Sequence, residues 1–307
     1  MKEITDKFIG ILGTENVIVD VDILKGYSQD ETPEIEQIPA LVLRPETTEE
    51  VSEILKICND NNIHVTPRGG GTSVVGGSVP AQGGIVLSLE RMNKILSIDP
   101  STMTATVQPA VITKDISNST AEHGLFYAVD PASHESCSIG GNVNTGASGM
   151  KAVKYGATKD NVVCLTFVTA DGSIMRTGGN LRKNVAGYNL LGLIIGSEGT
   201  LGIVTEITVK LLPLPKYFAS ILVGFENIQD AARATMLLLQ NGFLPNSIEF
   251  YDRHIIEIIG QTTEDDLPLA EMGAHLIVQF DSQKEDELEE MYMAAGEFLF
   301  ENGNAVD

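Results

Sequence analysis

The chain has 307 residues, 43% hydrophobic and 20% charged, the balance of a folded globular protein rather than a disordered one. Against 20 Lys and Arg stand 42 Asp and Glu, a net charge of −22 that repels a phosphate backbone and argues against nucleic acid as a partner. The three cysteines, Cys58, Cys137 and Cys164, lie far apart with no CxxC spacing, which argues against a disulfide framework or zinc ribbon and for a reducing compartment.

Along the chain, the opening MKEITDKFIGILGTENVIVD has no uninterrupted apolar core and carries acidic residues early, unlike a secretory signal. Apolar runs such as LLGLII are far too short to span a bilayer, so the expectation is a cytoplasmic protein with no transmembrane segment. Residues 40–67 read as strand–helix–strand. ALVL is the first strand, and Thr47 with Glu50 fits a capping box. Val51, Ile54, Leu55 and Cys58 then share one helical face, which makes Cys58 a packing residue. After a glycine-rich stretch at 69–77, IVLSL, ILSID and TATVQP alternate as strands, and Thr113 to His123 is helix-like up to Gly124.

A second glycine-dense segment without clear periodicity runs from Asp130 to Gly156. NVVCLTFVTADGSIMRTG predicts a hairpin about Asp171-Gly172 with Cys164 buried in its first strand, and GIVTEITVKLL closes the region as another strand. Pro213 and Pro215 mark a boundary. Beyond them come the strand FASILVGF, a helix from Asn227 to Asn241, the strand SIEF, the short helix RHIIEIIG, the strand AHLIVQF and a charged helix near 284–301. That order suggests a ferredoxin-like α+β layer that stops at ENGNAVD, where a further strand is expected; the chain reads as a fragment or as completed by another polypeptide.

Three segments carry chemistry. In Pro67-Arg68-Gly69-Gly70-Gly71-Thr72-Ser73, successive glycines leave a strand, so the backbone can approach a ligand and converge its N–H groups on a phosphate. A Walker loop is absent because no lysine follows, and a Rossmann turn is absent because strands, not a helix, come next. Taken alone, this run fits a flexible tight turn equally well. The second segment joins Asp130-Pro131-Ala132-Ser133 to Ser138-Ile139-Gly140-Gly141-Asn142, Gly146 and Gly149, ending at Lys154-Tyr155-Gly156. The third is RKNVAGY at 182–188 followed by Gly196-Ser197-Glu198-Gly199 and on through Ile203 and Val204. Three such segments on one β-rich scaffold point to a long threaded ligand.

In this order and at about this spacing, PRGGGTS, DPAS with SIGGN, KYG, RKNVAGY and GSEGTLGIVTE resemble the FAD-binding domain of the vanillyl-alcohol oxidase superfamily. The likeness is to its glycolate oxidase and D-lactate dehydrogenase branch, over roughly residues 40–212. The resemblance implies an α+β fold: a two-subdomain FAD-binding domain over residues 1–215, then an incomplete ferredoxin-like substrate cap over 216–307. It implies that Gly69, Gly70, Gly71, Thr72 and Ser73, with Arg68 beside them, hold the FAD pyrophosphate. Pro131, Ala132, Ser133, Gly140, Gly141 and Gly149 would line the adenosine and ribityl path, and Asn142 and Tyr155 would also bind the cofactor. Glu198, Ile203 and Val204 would meet the adenine end, Ile203 and Val204 through their backbone. Covalent members carry a histidine where Thr72 stands, so FAD is expected to be held non-covalently.

The implied reaction is oxidation of a small 2-hydroxy acid, D-lactate or glycolate-like, to the 2-oxo acid with hydride transfer to the flavin. A redox partner such as an electron-transfer flavoprotein would reoxidise it, with oxygen, a quinone and a cytochrome as the other acceptors open to the reading. Two rivals stand beside this reading: a flavin-binding electron-transfer subunit with no substrate site of its own, and an oxidase of an aldonolactone or alditol. His64 and His123 read as structural, His134 lies where it could approach a flavin, and His254 and His275 fall in the later segment. No HxxxH or His/Glu cluster is visible, so no complete metal site is read from this chain; the resemblance implies that catalytic groups and any divalent metal belong to the family's later, C-terminal part. Arg68, Lys151, Lys154, Arg182 and Lys183 are basic residues near the glycine segments, read mainly as solvated loop charges.

Overall fold

The computed structural model describes residues 2–181, 184–262, 269 and 271–307. Arg182 and Lys183 of the RKNVAGY segment lie outside the described residues. The chain divides into two compact units, residues 1–149 with 157–213, and residues 150–156 with 214–307.

In the first unit, Thr47 caps the helix Thr48–Asp60: its side chain accepts from the Glu50 N–H, and the Glu50 carboxylate reaches back to the Thr47 N–H, so two otherwise orphaned donors are satisfied. Val51, Ile54, Leu55 and Cys58 face inward from this helix, and burial pushes the Cys58 thiol up to about 12, which leaves it inert. Thr47→Ala is expected to cost about 1 kcal/mol of stability, read as a shifted urea midpoint at unchanged slope. The helix covers a four-stranded sheet ordered Val17–Ile18, Leu41–Leu43, Ile85–Ser88, Val65–Arg68, in which the last two pairings are parallel.

A second, five-stranded antiparallel sheet is ordered Ile95–Asp99, Thr104–Val107, Ile203–Lys210, Val162–Val168, Ile174–Gly178. Its hairpin turns at Gly172, whose φ of 81° suits a residue without Cβ. Leu165, Ile207, Val209 and Val107 on this sheet pack with Ile116, Ile139 and Val143 in one core.

Several helices were not read from the sequence, and two of them pack into the cores of the first unit. Residues Lys2–Leu12 form a helix burying Phe8 and Leu12, a spacing of four that the sequence already carried. Within the supposedly aperiodic segment 130–156, Ile139–Thr145 is a helix. Ser138 caps it by accepting from Gly141 N–H, and Gly146 ends it in the left-handed conformation at φ 64°. Two glycines in seven residues hid it, because local propensity is poor and burial of Ile139 and Val143 in the core supplies the stability instead.

The second unit is α+β. Strands Tyr217–Phe225, Ala274–Ser282 and Ser247–Asp252 form an antiparallel sheet in that spatial order, with helices Ile228–Gln240 and Glu285–Asn302 packed on one face. Past the last helix, Val306 N–H donates to the Gly224 carbonyl and Gly224 N–H to Asp307 O, beside the strand Tyr217–Phe225. Among the described residues no helix is long and apolar enough to cross a membrane.

Candidate cofactor cleft

The first unit contains a cleft of about 380 Å³, built where the strand Val65–Arg68 ends in the glycine loop. One wall is this loop, Gly69 to Val75. The opposite wall comes from Pro131, Ser133 and the start of the helix Ile139–Thr145, and Glu198 with Gly199 closes one end.

The loop has little room for side chains. A Cβ on Gly70 would stand 2.9 Å from the Ser136 carbonyl oxygen, so its backbone lies directly against the facing segment. Gly71 adopts φ 72°, and a Cβ there would fall 2.4 Å from an Arg68 guanidinium nitrogen. Gly140 plays the matching part across the cleft: a Cβ would meet Pro109 at 2.5 Å, while its own N–H donates to the Pro109 carbonyl at 2.8 Å. Gly149 presses on Asp130, whose carbonyl oxygen lies 2.1 Å from where a Cβ would sit. Glycine at these positions sets how closely the two walls are built.

Among the described residues, the backbone N–H groups of Gly70, Gly71, Thr72, Ser73 and Val74 have no protein acceptor. Gly70 and Val74 are exposed and the three residues between them half-buried, so this row of unclaimed amides is open to an anion. Among the described residues, Arg68 is the only basic side chain lining the cleft. Its guanidinium donates to the Gln29 carbonyl at 2.8 Å and to Ser78 Oγ at 3.3 Å, and lies 5.9 Å from the Tyr27 ring centre. Burial lowers its pKa, and Asp30, Tyr27 and Glu90 oppose that fall.

Several polar groups on the far wall are committed. Asn142 Nδ2 donates to Thr113 Oγ1 at 2.6 Å, and Thr113 Oγ1 also meets Cys137 Sγ at 3.3 Å. Asn144 differs: its Nδ2 donates to the Gly140 carbonyl, but its Oδ1 is buried with no protein partner, an acceptor available to a ligand donor. Glu198 holds φ 51°, uncommon for a residue with a side chain, and its N–H donates to the Asn144 carbonyl at 2.8 Å. Asn144 and Ala147 line the cleft and were not singled out from sequence; only proximity to the glycine segments could have suggested them.

The sequence candidates thus fall into two groups. Arg68, Gly69, Gly70, Gly71, Thr72, Ser73, Pro131, Ser133, Gly140, Gly141, Asn142 and Glu198 line one cleft. Ala132 is exposed between two lining residues, and Gly149 sits against Asp130. Ile203 and Val204 are buried strand residues opposite Val168 and Phe167, with side chains in the hydrophobic core. Tyr155 belongs to the second unit, where its hydroxyl donates to Asp281 at 2.9 Å. Lys154 is no solvated loop charge: it pairs with the same buried Asp281. His134 Nδ1 lies 3.2 Å from the Pro131 carbonyl, and His275 is buried in the second unit with Nε2 2.7 Å from the Leu269 carbonyl. Among the described residues no three His, Cys, Asp or Glu side chains converge as a metal site would require.

Residues 39–178 match the family model described as FAD binding domain, and residues 214–307 match FAD linked oxidases, C-terminal domain. The Glycolate oxidase subunit GlcD of Bacillus subtilis is 42% identical, over 91% of this chain and 59% of that protein. The D-lactate dehydrogenase of Anaerostipes hadrus is 37% identical, over 99% of this chain and 65% of that protein. An uncharacterized FAD-linked oxidoreductase of Mycobacterium tuberculosis is 39% identical, over 100% of this chain and 68% of that protein. The chain therefore spans 59% and 65% of the lengths of the first two of these relatives. Among solved structures, an alkyldihydroxyacetonephosphate synthase superposes with a TM-score of 0.83 at 22% identity, over 100% of this chain and 60% of that one. A substrate-bound p-cresol methylhydroxylase superposes with a TM-score of 0.81 at 23% identity, over 99% and 65%. At that identity the likeness is one of fold.

Proposed function

The chain belongs to the FAD-linked oxidoreductases of the glycolate oxidase and D-lactate dehydrogenase branch, and from that premise we propose that it holds FAD non-covalently in the glycine-lined cleft and serves the oxidation of a small 2-hydroxy acid, D-lactate or glycolate-like, to the 2-oxo acid. The observation that carries this reading is the row of amides from Gly70 to Val74 with no protein acceptor, set in a cleft whose walls glycines bring together. These amides, with the Thr72 and Ser73 hydroxyls, would hold the pyrophosphate. Pro131, Ala132, Ser133, Gly140, Gly141, Asn142 and Gly149 would line the adenosine and ribityl path, with Asn144 Oδ1 as an added acceptor. Glu198 and the backbone of Ile203 and Val204 would meet the adenine end. When bound, the flavin supplies the acceptor for the hydride that leaves the hydroxyl-bearing carbon.

The chain's own part is to bind and orient. Arg68 is already engaged with Gln29, Ser78 and Tyr27, so no cleft side chain is assigned to grip the substrate carboxylate or take its hydroxyl proton. On this reading residues 1–215 are the FAD-binding domain and residues 216–307 begin a substrate cap. The protein works in the cytoplasm and passes its electrons to a redox partner such as an electron-transfer flavoprotein.

The test is the visible spectrum of the purified protein incubated with FAD, before and after anaerobic D-lactate, and again after acid precipitation. A flavin band that bleaches with D-lactate and leaves with the supernatant is expected. A flavin that stays oxidised with D-lactate and glycolate would remove the substrate assignment and favour an electron-transfer role. Flavin retained in the acid pellet would remove the non-covalent assignment, and no flavin uptake would remove the cofactor site.

A further inference from the structure

Residues 28–40 contain neither helix nor strand, yet they are tied at four points to the glycine loop and the turn that follows it. Glu31 N–H donates to the Ser73 carbonyl at 3.0 Å, and Thr32 Oγ1 accepts from Gly76 N–H at 2.6 Å. Asp30 Oδ2 accepts from both Ser78 N–H and Ser78 Oγ at 3.4 Å, while the Arg68 guanidinium donates to the Gln29 carbonyl. Ile35 closes over Gly76, 3.5 Å from where a Cβ would sit. Burial would raise the Asp30 carboxyl, but hydrogen bonds from Thr32 and Ser78 outweigh it and hold its pKa below the usual value, so it remains an ionised acceptor.

The pattern of these ties is selective. They consume donors and acceptors on both sides of the turn, at Ser73, Gly76 and Ser78, and leave the amides from Gly70 to Val74 unclaimed. A run of glycines has many backbone conformations of similar energy, and holding one of them costs conformational entropy that neighbouring contacts must supply. Gly71 lies at φ 72° and Gly76 at φ 72°, so the loop takes a left-handed turn at two points, and the free amides of Thr72, Ser73 and Val74 lie between them.

We propose that residues 29–32 are a positioning strap for the phosphate-binding loop, with Asp30 and Thr32 holding the amides of Gly70 to Val74 ready for the pyrophosphate of the cofactor. This rests on the reading that FAD occupies the cleft. Asp30 and Thr32 touch the loop and not the ligand, so they are positioning residues. They set the affinity for the pyrophosphate and not for the nucleoside.

The test uses the full chain and its Thr32→Val, Thr32→Ser and Asp30→Asn variants, titrated with FAD, ADP and adenosine by calorimetry. Thr32→Val and Asp30→Asn are expected to weaken FAD and ADP about five- to tenfold, the worth of one lost hydrogen bond, and to leave adenosine unchanged. Thr32→Ser, which keeps the hydroxyl, should restore both. Unchanged FAD and ADP affinity in both variants overturns the strap while leaving the cofactor site intact. A parallel loss for adenosine also overturns it, since that marks general unfolding of the unit. If the unaltered chain takes up neither FAD nor ADP, the cofactor reading fails first and the strap with it.

Discussion

Replacing Lys154 by methionine is expected to destabilise the second unit by about 3 kcal/mol, the cost of leaving a buried carboxylate without its counter-charge. The Asp281 side chain is 3% exposed and Lys154 is its only ion-pair partner among the described residues. Tyr155 OH donates to both carboxylate oxygens at 2.9 Å, and Asn246 Nδ2 donates to Oδ2 at 2.7 Å. Burial, then the hydrogen bond and charge of Asp281, raise the Tyr155 pKa, so the phenol stays a neutral donor. Neutral donors soften the penalty in the variant without removing it. This network also holds residues 150–156 on the sheet of the second unit, through Asp281 at one end of the strand Ala274–Ser282.

The measurement is urea unfolding followed by circular dichroism, with limited proteolysis across residues 150–156 as a second readout. A lowered midpoint and faster cleavage in that segment are expected. The double variant Lys154→Met/Asp281→Leu should lose less than Lys154→Met alone, because an apolar replacement of a buried pair strands no charge. A Lys154→Met chain as stable as the parent, within about 0.5 kcal/mol, would show the pair to be no more than a surface ion pair in effect.

Gly71→Ala should weaken flavin binding about tenfold or more. The left-handed φ of 72° costs a residue with Cβ about 1–2 kcal/mol, and the new methyl would fall 2.4 Å from an Arg68 nitrogen. Relief requires either the loop to leave its turn, which moves the unclaimed amides, or Arg68 to release Gln29 and Ser78. Gly83→Ala is the matched control. It has the same kind of strain, φ 70°, with nothing within 4 Å of the new Cβ and no place in the cleft. Both variants should lose about 1 kcal/mol of stability, but only Gly71→Ala should change the flavin dissociation constant. Equal flavin affinity in Gly71→Ala and the parent would mean that this turn does not shape the site.

Wherever a pattern was local, it could be read from the chain. The capping box at Thr47 and Glu50, the hairpin at Gly172 and the helix Ile228–Gln240 each rest on contacts within a few residues, and the strands show a two-residue alternation. Glycines leaving a strand likewise suggested where a backbone could approach a ligand, and the order of the three segments carried the family resemblance. The helix Ile139–Thr145 was hidden because its stability comes from a distant core and not from its own residues.

By itself, then, the sequence determined the order of the principal strands and longer helices past residue 40, the α+β class and the family, since these follow from residue type at short spacing. Tertiary structure alone decided which of the candidate residues share a cleft, that Asn144 offers a buried acceptor there, and that Arg68 is held by Gln29 and Ser78. It also decided that Lys154 and Tyr155 meet Asp281, 127 and 126 residues away, and that Asp30 and Thr32 bind the glycine loop over 48 and 44 residues. Such partners are chosen by how the chain closes on itself, and no local preference distinguishes one distant carboxylate from the other acidic residues of so acidic a chain.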